Sequence, residues 1–401
     1  MDLFSKTYKK LLSKLSPLIL IFLGFLLPLT SIEIGLRIYQ ALGYRQILSI
    51  TPQRTTLRFY DNKTFGNALV PNQEGWFVPL TKEYFTWVEV NSDGWPDIEH
   101  TVKKQENTFR IIILGDSFVE NMQVSLENRF FRKLEKMLNE KLDKNIEIIA
   151  VGRGNTGTAQ QYIILKNEVA RYKPDLVLHM FLTANDIKNN SQKLQEDSYL
   201  PYFELDNKGE LKLIPHKLHS QRKLARFKEA LKKLRTVKLI LQARQKYFEY
   251  KKHTKFDGFP LEYHVYEKDW SPDYRNAWEL TKTLIRASRD ESKKMGADYI
   301  LVTLSNNEQV HESIWEEIKN TYPEMKNKDF DLEKPDKEIN TFCKKENLTC
   351  WQMLDTFKKY VIENKSAKTH NRLEGHWNQL GSDLAAKFLF NNLLENYFTT
   401  K

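Results

Sequence analysis

Glycine (15) and proline (13) are not enriched among the 401 residues, and no 20–50-residue period repeats. A disordered chain and a solenoid are thereby set aside. Cysteine is nearly absent. Cys343 and Cys350 lie seven apart in T-F-C-K-K-E-N-L-T-C, which leaves open a local disulfide or two free buried thiols. The nine histidines show no ligand spacing, beside the cysteines or elsewhere, so neither metal nor other cofactor is expected.

Charge is missing from one stretch. Ser16 to Ile32, S-P-L-I-L-I-F-L-G-F-L-L-P-L-T-S-I, carries none between Lys14 and Glu33. With its flanks it is just long enough to span a bilayer as a helix. Lys9, Lys10 and Lys14 precede it, so the positive-inside bias puts the N-terminus in the cytoplasm and the rest of the chain outside. A cleaved signal peptide shares this layout, but no convincing A-x-A-like site follows. A buried helix is the third option, and the composition makes a retained anchor the expectation.

What remains is a globular chain, 41% hydrophobic, enough for one large α/β domain or two smaller ones. The net charge of +10 is unevenly spread: Lys217 to Lys255 holds fourteen Lys or Arg against Glu229 and Glu249. Leu224, Phe227, Leu231 and Leu234 recur there at helical steps, giving an amphipathic helix with a basic outer face. A solvated face is the plainer reading of it. Anionic lipid or an acidic polysaccharide is the functional one, and the outward location disfavours nucleic acid.

Four apolar runs of strand length follow: Phe109 to Leu114, Ile146 to Val151, Asp175 to Leu182 and Ala297 to Leu304. Helical patterns separate them, with Phe130, Leu134, Met137, Leu138 and Leu142 on one face of the first. Near-continuous apolar strands alternating with amphipathic helices predict a parallel sheet covered on both faces, with the site at the carboxyl ends of its strands.

Three polar clusters stand there: Gly115-Asp116-Ser117, then Gly152-Arg153-Gly154-Asn155-Thr156-Gly157-Thr158, then Thr183-Ala184-Asn185-Asp186. A fourth, E-G-H-W-N from Glu374, enters an apolar helix near the C-terminus. Singly, each has an ordinary structural use as a helix cap or turn. Together they offer a serine at a strand-to-helix turn, a histidine base to take its proton, a carboxylate to hold that base, and donors for an oxyanion. Asp116 and Asp186 read as groups that tie the turns.

In this order the clusters resemble the SGNH, or GDSL, hydrolases over about residues 106–398. The resemblance implies a flavodoxin-like three-layer α/β/α sandwich with Ser117 as nucleophile, His376 as base and Asn185 as side-chain oxyanion donor. P-N-Q-E-G (Pro71 to Gly75) and V-E-V-N-S-D-G-W-P-D (Val88 to Asp97) resemble the β-rich lead-in of membrane-anchored bacterial members. Expected boundaries are an anchor at 1–36, the lead-in at 37–105, and the hydrolase-like domain at 106–401 with a basic helical insertion at about 188–295.

Three departures from the family pattern stand out. The acid is Glu374, two before the histidine, where the family has Asp three before. Asn155 occupies the place of the oxyanion-hole glycine, with Gly154 as the alternate donor. The block G-D-S-F-V-E-N lacks the glycine on which it often ends. The implied activity is acyl transfer at an ester without a cofactor, on an acylated, O-acetylated envelope glycan, as esterase or O-acetyltransferase. A lysophospholipase, or a non-catalytic glycan-binding or assembly protein, is the alternative.

Overall fold

The computed structural model describes residues 2–42, 56–79, 81–218, 257–365 and 367–399, with 231, 234–237, 239–241, 243, 244 and 247. Most of the basic stretch from Lys217 to Lys255, and with it most of the expected amphipathic helix, lies outside the described residues. The chain divides into two compact units: Met1–Pro52 with Arg222–Lys252, and Gln53–Gln221 with His253–Lys401.

In the first unit one helix runs Asp2–Ala41 and contains the apolar run. The side chains of 2–16, Leu18, Leu20 and Phe22 are not among those described. Among the described residues no helix is long and apolar enough to cross a membrane. Ile19, Ile21, Phe25 and Leu27 are nevertheless each more than half exposed. Glu33, which closes the run, accepts hydrogen bonds from the Thr236 amide and hydroxyl at 2.8 and 2.9 Å.

The second unit opens with two antiparallel hairpins, β1 (Phe59–Asn62) with β2 (Gly66–Leu69) and β3 (Gln73–Phe77) with β4 (Thr86–Val90). The turn after β4 is built by Asn91, whose carbonyl oxygen Oδ1 accepts from the amides of Asp93 and Trp95 while Gly94 takes φ +85°. A side-chain cap and a left-handed glycine are what N-S-D-G supplies. Asp97, next in this motif, is buried and accepts from the Ala150 amide at 3.1 Å, which fastens the lead-in to the sheet. His100 stands between Asp97 and Glu147, 3.1 Å from each. Burial alone would push its pKa down, but the two carboxylates hold it up at about 9.

The sheet has five parallel strands: β5 (Thr108–Gly115), β6 (Asn145–Gly152), β7 (Leu176–Leu182), then, beyond the antiparallel pair β8 (Tyr202–Leu205) and β9 (Leu211–Ile214), β10 (Asp298–Leu304) and β11 (Cys350–Gln352). Its spatial order is β6-β5-β7-β10-β11. Counted by their sequence order within the sheet this is 2-1-3-4-5, the flavodoxin-like winding, whose switch point lies between β5 and β7. The four long strands are those the apolar runs predict. The short edge strand β11 gave no such signal.

Strand alternation distributes the core between two layers. Ile111 and Ile113 face helices Phe130–Lys141, Leu354–Glu363 and Gln379–Leu393, with Phe130, Leu134, Leu138 and Leu389 fully buried. Ile112 and Leu114 face helices Thr158–Ile164 and Pro272–Lys294. Each leucine so buried contributes about 2 kcal/mol of apolar transfer. Cys343 in helix Lys334–Lys345 and Cys350 in β11 form a disulfide, which fixes the short edge strand to the helix before it.

Candidate active site

Ser117 is the first residue of the turn of helix that follows β5. Asp116 caps that turn, Oδ1 accepting from the Phe118 amide at 2.9 Å, and its burial pushes its carboxyl pKa up. The helix start leaves the Ser117 amide without a partner inside the helix. Close approach of the next strand holds the turn: a Cβ on Gly152 would stand 2.3 Å from the Glu120 nitrogen.

His376 comes from the loop before helix Gln379–Leu393. Asn378 caps that helix by accepting from the Gly381 amide at 3.1 Å and donates its own amide to Thr369 O. The adjacent Trp377 is fully buried, stacked on Phe357 and edge-on to Phe118 and Phe130. With its neighbour fixed in this way, the imidazole lies over the Phe118 ring and places Nε2 2.6 Å from Ser117 Oγ. That is hydrogen-bond distance for a base and its nucleophile.

The carboxylate of Glu374 stands 2.7 Å from His376 Nδ1. It makes no aligned hydrogen bond with Nδ1, and the contact becomes an ion pair when the imidazole takes up a proton. The link to the histidine is two spacer atoms shorter than in D-x-x-H, and Glu374 Oε2 also accepts the His376 amide at 3.3 Å. Burial alone would depress the His376 pKa. The Glu374 carboxylate, with the Asp116 charge behind it, raises it above the ordinary value.

Two lead-in residues hold Glu374. The Glu83 carboxylate accepts the amides of Leu373 and Glu374 at 3.0 and 2.9 Å, and the Tyr84 hydroxyl donates to Glu374 Oε1 at 3.2 Å. Burial and the neighbouring Glu374 push the Tyr84 phenol further up, so it remains a donor at any working pH. Nothing in the sequence marks Glu83 or Tyr84, which stand about 290 residues from their partner.

No family model matches the sequence, and no curated protein matches it. Among solved structures the chain is similar to the acetyl xylan esterase AlAXEase, with TM-score 0.40 and 13% identity over 71% of this chain and 100% of that one. It is also similar to the lipase/acylhydrolase from Enterococcus faecalis (TM-score 0.36, 12% identity, 71% and 95% covered) and to TesA (0.36, 11%, 71% and 97%). Likenesses this remote leave the chemistry to be read from the geometry around Ser117.

The remaining predicted residues line the same end of the sheet. Gly154 packs against Ser117, where an added Cβ would stand 3.6 Å from the serine Cβ and 2.8 Å from Glu120 Oε2. Asn155 has φ +61°, the left-handed conformation that asparagine tolerates best among residues with a side chain. Asn121, at the end of G-D-S-F-V-E-N, has φ +45°. Both departures from glycine therefore keep the backbone that glycine favours. Asn185 begins the helix after β7, across the switch point from Ser117. Its part-exposed side-chain amide bonds no other described residue and is free to donate.

Glu120 and Arg153 form a buried ion pair at 2.6 Å, and Arg153 Nε donates to Asn67 O in β2 at 2.7 Å. One residue from each of the first and second blocks thus belongs to one contact, which also binds the lead-in. Elsewhere, Asp257, His264 and Glu267 form a group of metal-ligand type. Lys328 Nζ already stands 2.7 Å from Asp257 and 3.3 Å from Glu267, so these carboxylates have their cation.

Proposed function

We propose that the protein is a serine ester hydrolase acting through an acyl-enzyme. The observation that carries this reading is the Ser117 Oγ to His376 Nε2 contact at 2.6 Å, with a carboxylate 2.7 Å from Nδ1. His376 takes the hydroxyl proton as Ser117 attacks the ester carbonyl. The Ser117 amide, the amide of Asn155 or Gly154, and the Asn185 side chain receive the negative charge. His376 then protonates the leaving alkoxide, and water, or an acceptor hydroxyl in a transferase, resolves the acyl-enzyme.

Location enters the same proposal: an N-terminal anchor with the site on the outer side of a membrane, acting on acyl or acetyl groups of an envelope glycan. The exposed apolar side chains of the first helix and the three lysines before them support an anchor. The disulfide supports an oxidising compartment. The test uses the full chain in detergent, with p-nitrophenyl acetate and a serine-reactive fluorophosphonate, beside Ser117→Ala and His376→Ala. Turnover and labelling in the wild type, lost in both variants, is expected. A wild type that neither labels nor turns over, or variants that match it, would sink the reading.

A further inference from the structure

Beside the triad lies a cavity of about 400 Å³ between β4 and the segment that follows the Ser117 turn. This is within the range of about 300–1,000 Å³ typical of ligand sites. One wall is aromatic. Tyr84, Phe85 and Trp87 line it, Phe85 being 60% and Trp87 42% exposed. Trp76 braces Trp87 edge-on across the hairpin, with ring centroids 5.3 Å apart. Trp87, held in this way, presents a flat apolar face at little entropic cost, and Phe85 adds a second exposed ring.

The opposite wall is polar. Ser125, Glu127 and Gln379 line it beside the largely buried Gln123. The hydroxyl, carboxylate and amide groups of this wall can exchange hydrogen bonds with a ligand rich in hydroxyls. Glu89 and Glu127 add carboxylates, and among the described residues no lysine or arginine lines the cavity. Neighbouring Ser125 and Asn128 donate to Glu127, whose pKa is lowered, keeping it ionised. Anionic ligands meet like charge here with nothing to offset it.

We infer that this groove is the saccharide subsite of the enzyme and takes an uncharged pyranose chain, its C–H faces on Phe85 and Trp87 and its hydroxyls on the polar wall. An acyl chain would satisfy the rings but leave Glu89, Ser125, Glu127 and Gln379 facing hydrocarbon. An acidic glycan, which the basic stretch beyond Lys217 suggests, would face Glu89 and Glu127. Tyr84 links subsite to chemistry, since it lines the groove and donates to Glu374. The inference rests on the ester-hydrolase reading for the substrate's reacting end, not for the binding itself.

Full-length Ser117→Ala in detergent, titrated by tryptophan fluorescence and calorimetry, provides the test. The probes are cellohexaose, chitohexaose and mannohexaose as uncharged chains, polygalacturonate as the acidic one, and lysophosphatidylcholine as the lipid. At least one uncharged hexaose should bind saturably. Added Trp87→Ala should weaken it about tenfold and Trp87→Phe restore most of the loss. Calorimetry carries the reading for the variants, whose unchanged circular dichroism marks them as folded. The inference is overturned if no uncharged hexaose binds, if Trp87→Ala binds equally well, or if polygalacturonate or the lipid binds more tightly. Ester turnover by the wild type without saccharide binding would sink the subsite alone. Saccharide binding without any ester turnover would retain the subsite and sink the hydrolase.

Discussion

Replacing Glu374 by Gln removes a charge while keeping the side chain's size, and so isolates what the carboxylate does for His376. At the 2.7 Å separation of Oε1 and Nδ1, unit charges interact by about 6 kcal/mol at an effective dielectric of about 20 and about 1.5 at about 80. Side-chain exposures of 22% for His376 and 18% for Glu374 place the pair between these limits. A value of about 3 kcal/mol corresponds to roughly a hundredfold in rate. An acid aligned with Nδ1–H would also select the tautomer, and its loss costs nearer 10⁴-fold. The off-line carboxylate is what sets the smaller figure here. The base must be neutral to accept the Ser117 proton, and the carboxylate raises the imidazole's pKa. Glu374→Gln should therefore move the acidic limb of the kcat/KM profile to lower pH as it lowers the plateau about a hundredfold. Ester turnover across pH, with the His376 ring nitrogens followed by NMR, reads both. A variant within about threefold of wild type, its limb unmoved, would refute the assignment of Glu374 as the triad acid.

Gly152→Ala should destabilise the fold by about 3 kcal/mol, read as a lowered urea midpoint, because its Cβ would meet backbone atoms that cannot move aside. Cys350→Ser opens a disulfide of sequence separation 7 and should cost about 2.5 kcal/mol by loop entropy. The difference should vanish when both proteins are measured in dithiothreitol. Asn155→Gly should preserve stability and turnover, while Asn155→Val, β-branched at φ +61°, should lose about 1–2 kcal/mol and slow turnover of p-nitrophenyl acetate.

The sheet was legible because its central strands are buried on both faces and read as unbroken apolar runs; Leu176–Leu182 is buried at every position. Cys350–Gln352 was not, since three residues at an edge carry no periodicity. Ser117, His376 and Glu374 could be found because each lies in a short local block. The hydrogen bonds from Glu83 and Tyr84 could not, as contacts formed across the whole chain leave no trace in spacing. Asn121 and Asn155 read singly as lapses from a pattern, and Glu120 and Arg153 carried no signal at all. The left-handed backbone of the asparagines and the buried Glu120–Arg153 ion pair exist only in three dimensions.

Glu83 and Tyr84 have a consequence for how this chain can be divided. A cut near residue 106, where the sandwich begins, looks like a boundary between an accessory segment and a self-sufficient catalyst. Such a cut would spare Ser117 and His376 and strip the carboxylate beside them of its seat. Any graft or truncation that treats the hairpins as dispensable packaging would discard part of the machine, and recombination between related chains would have to inherit both pieces together.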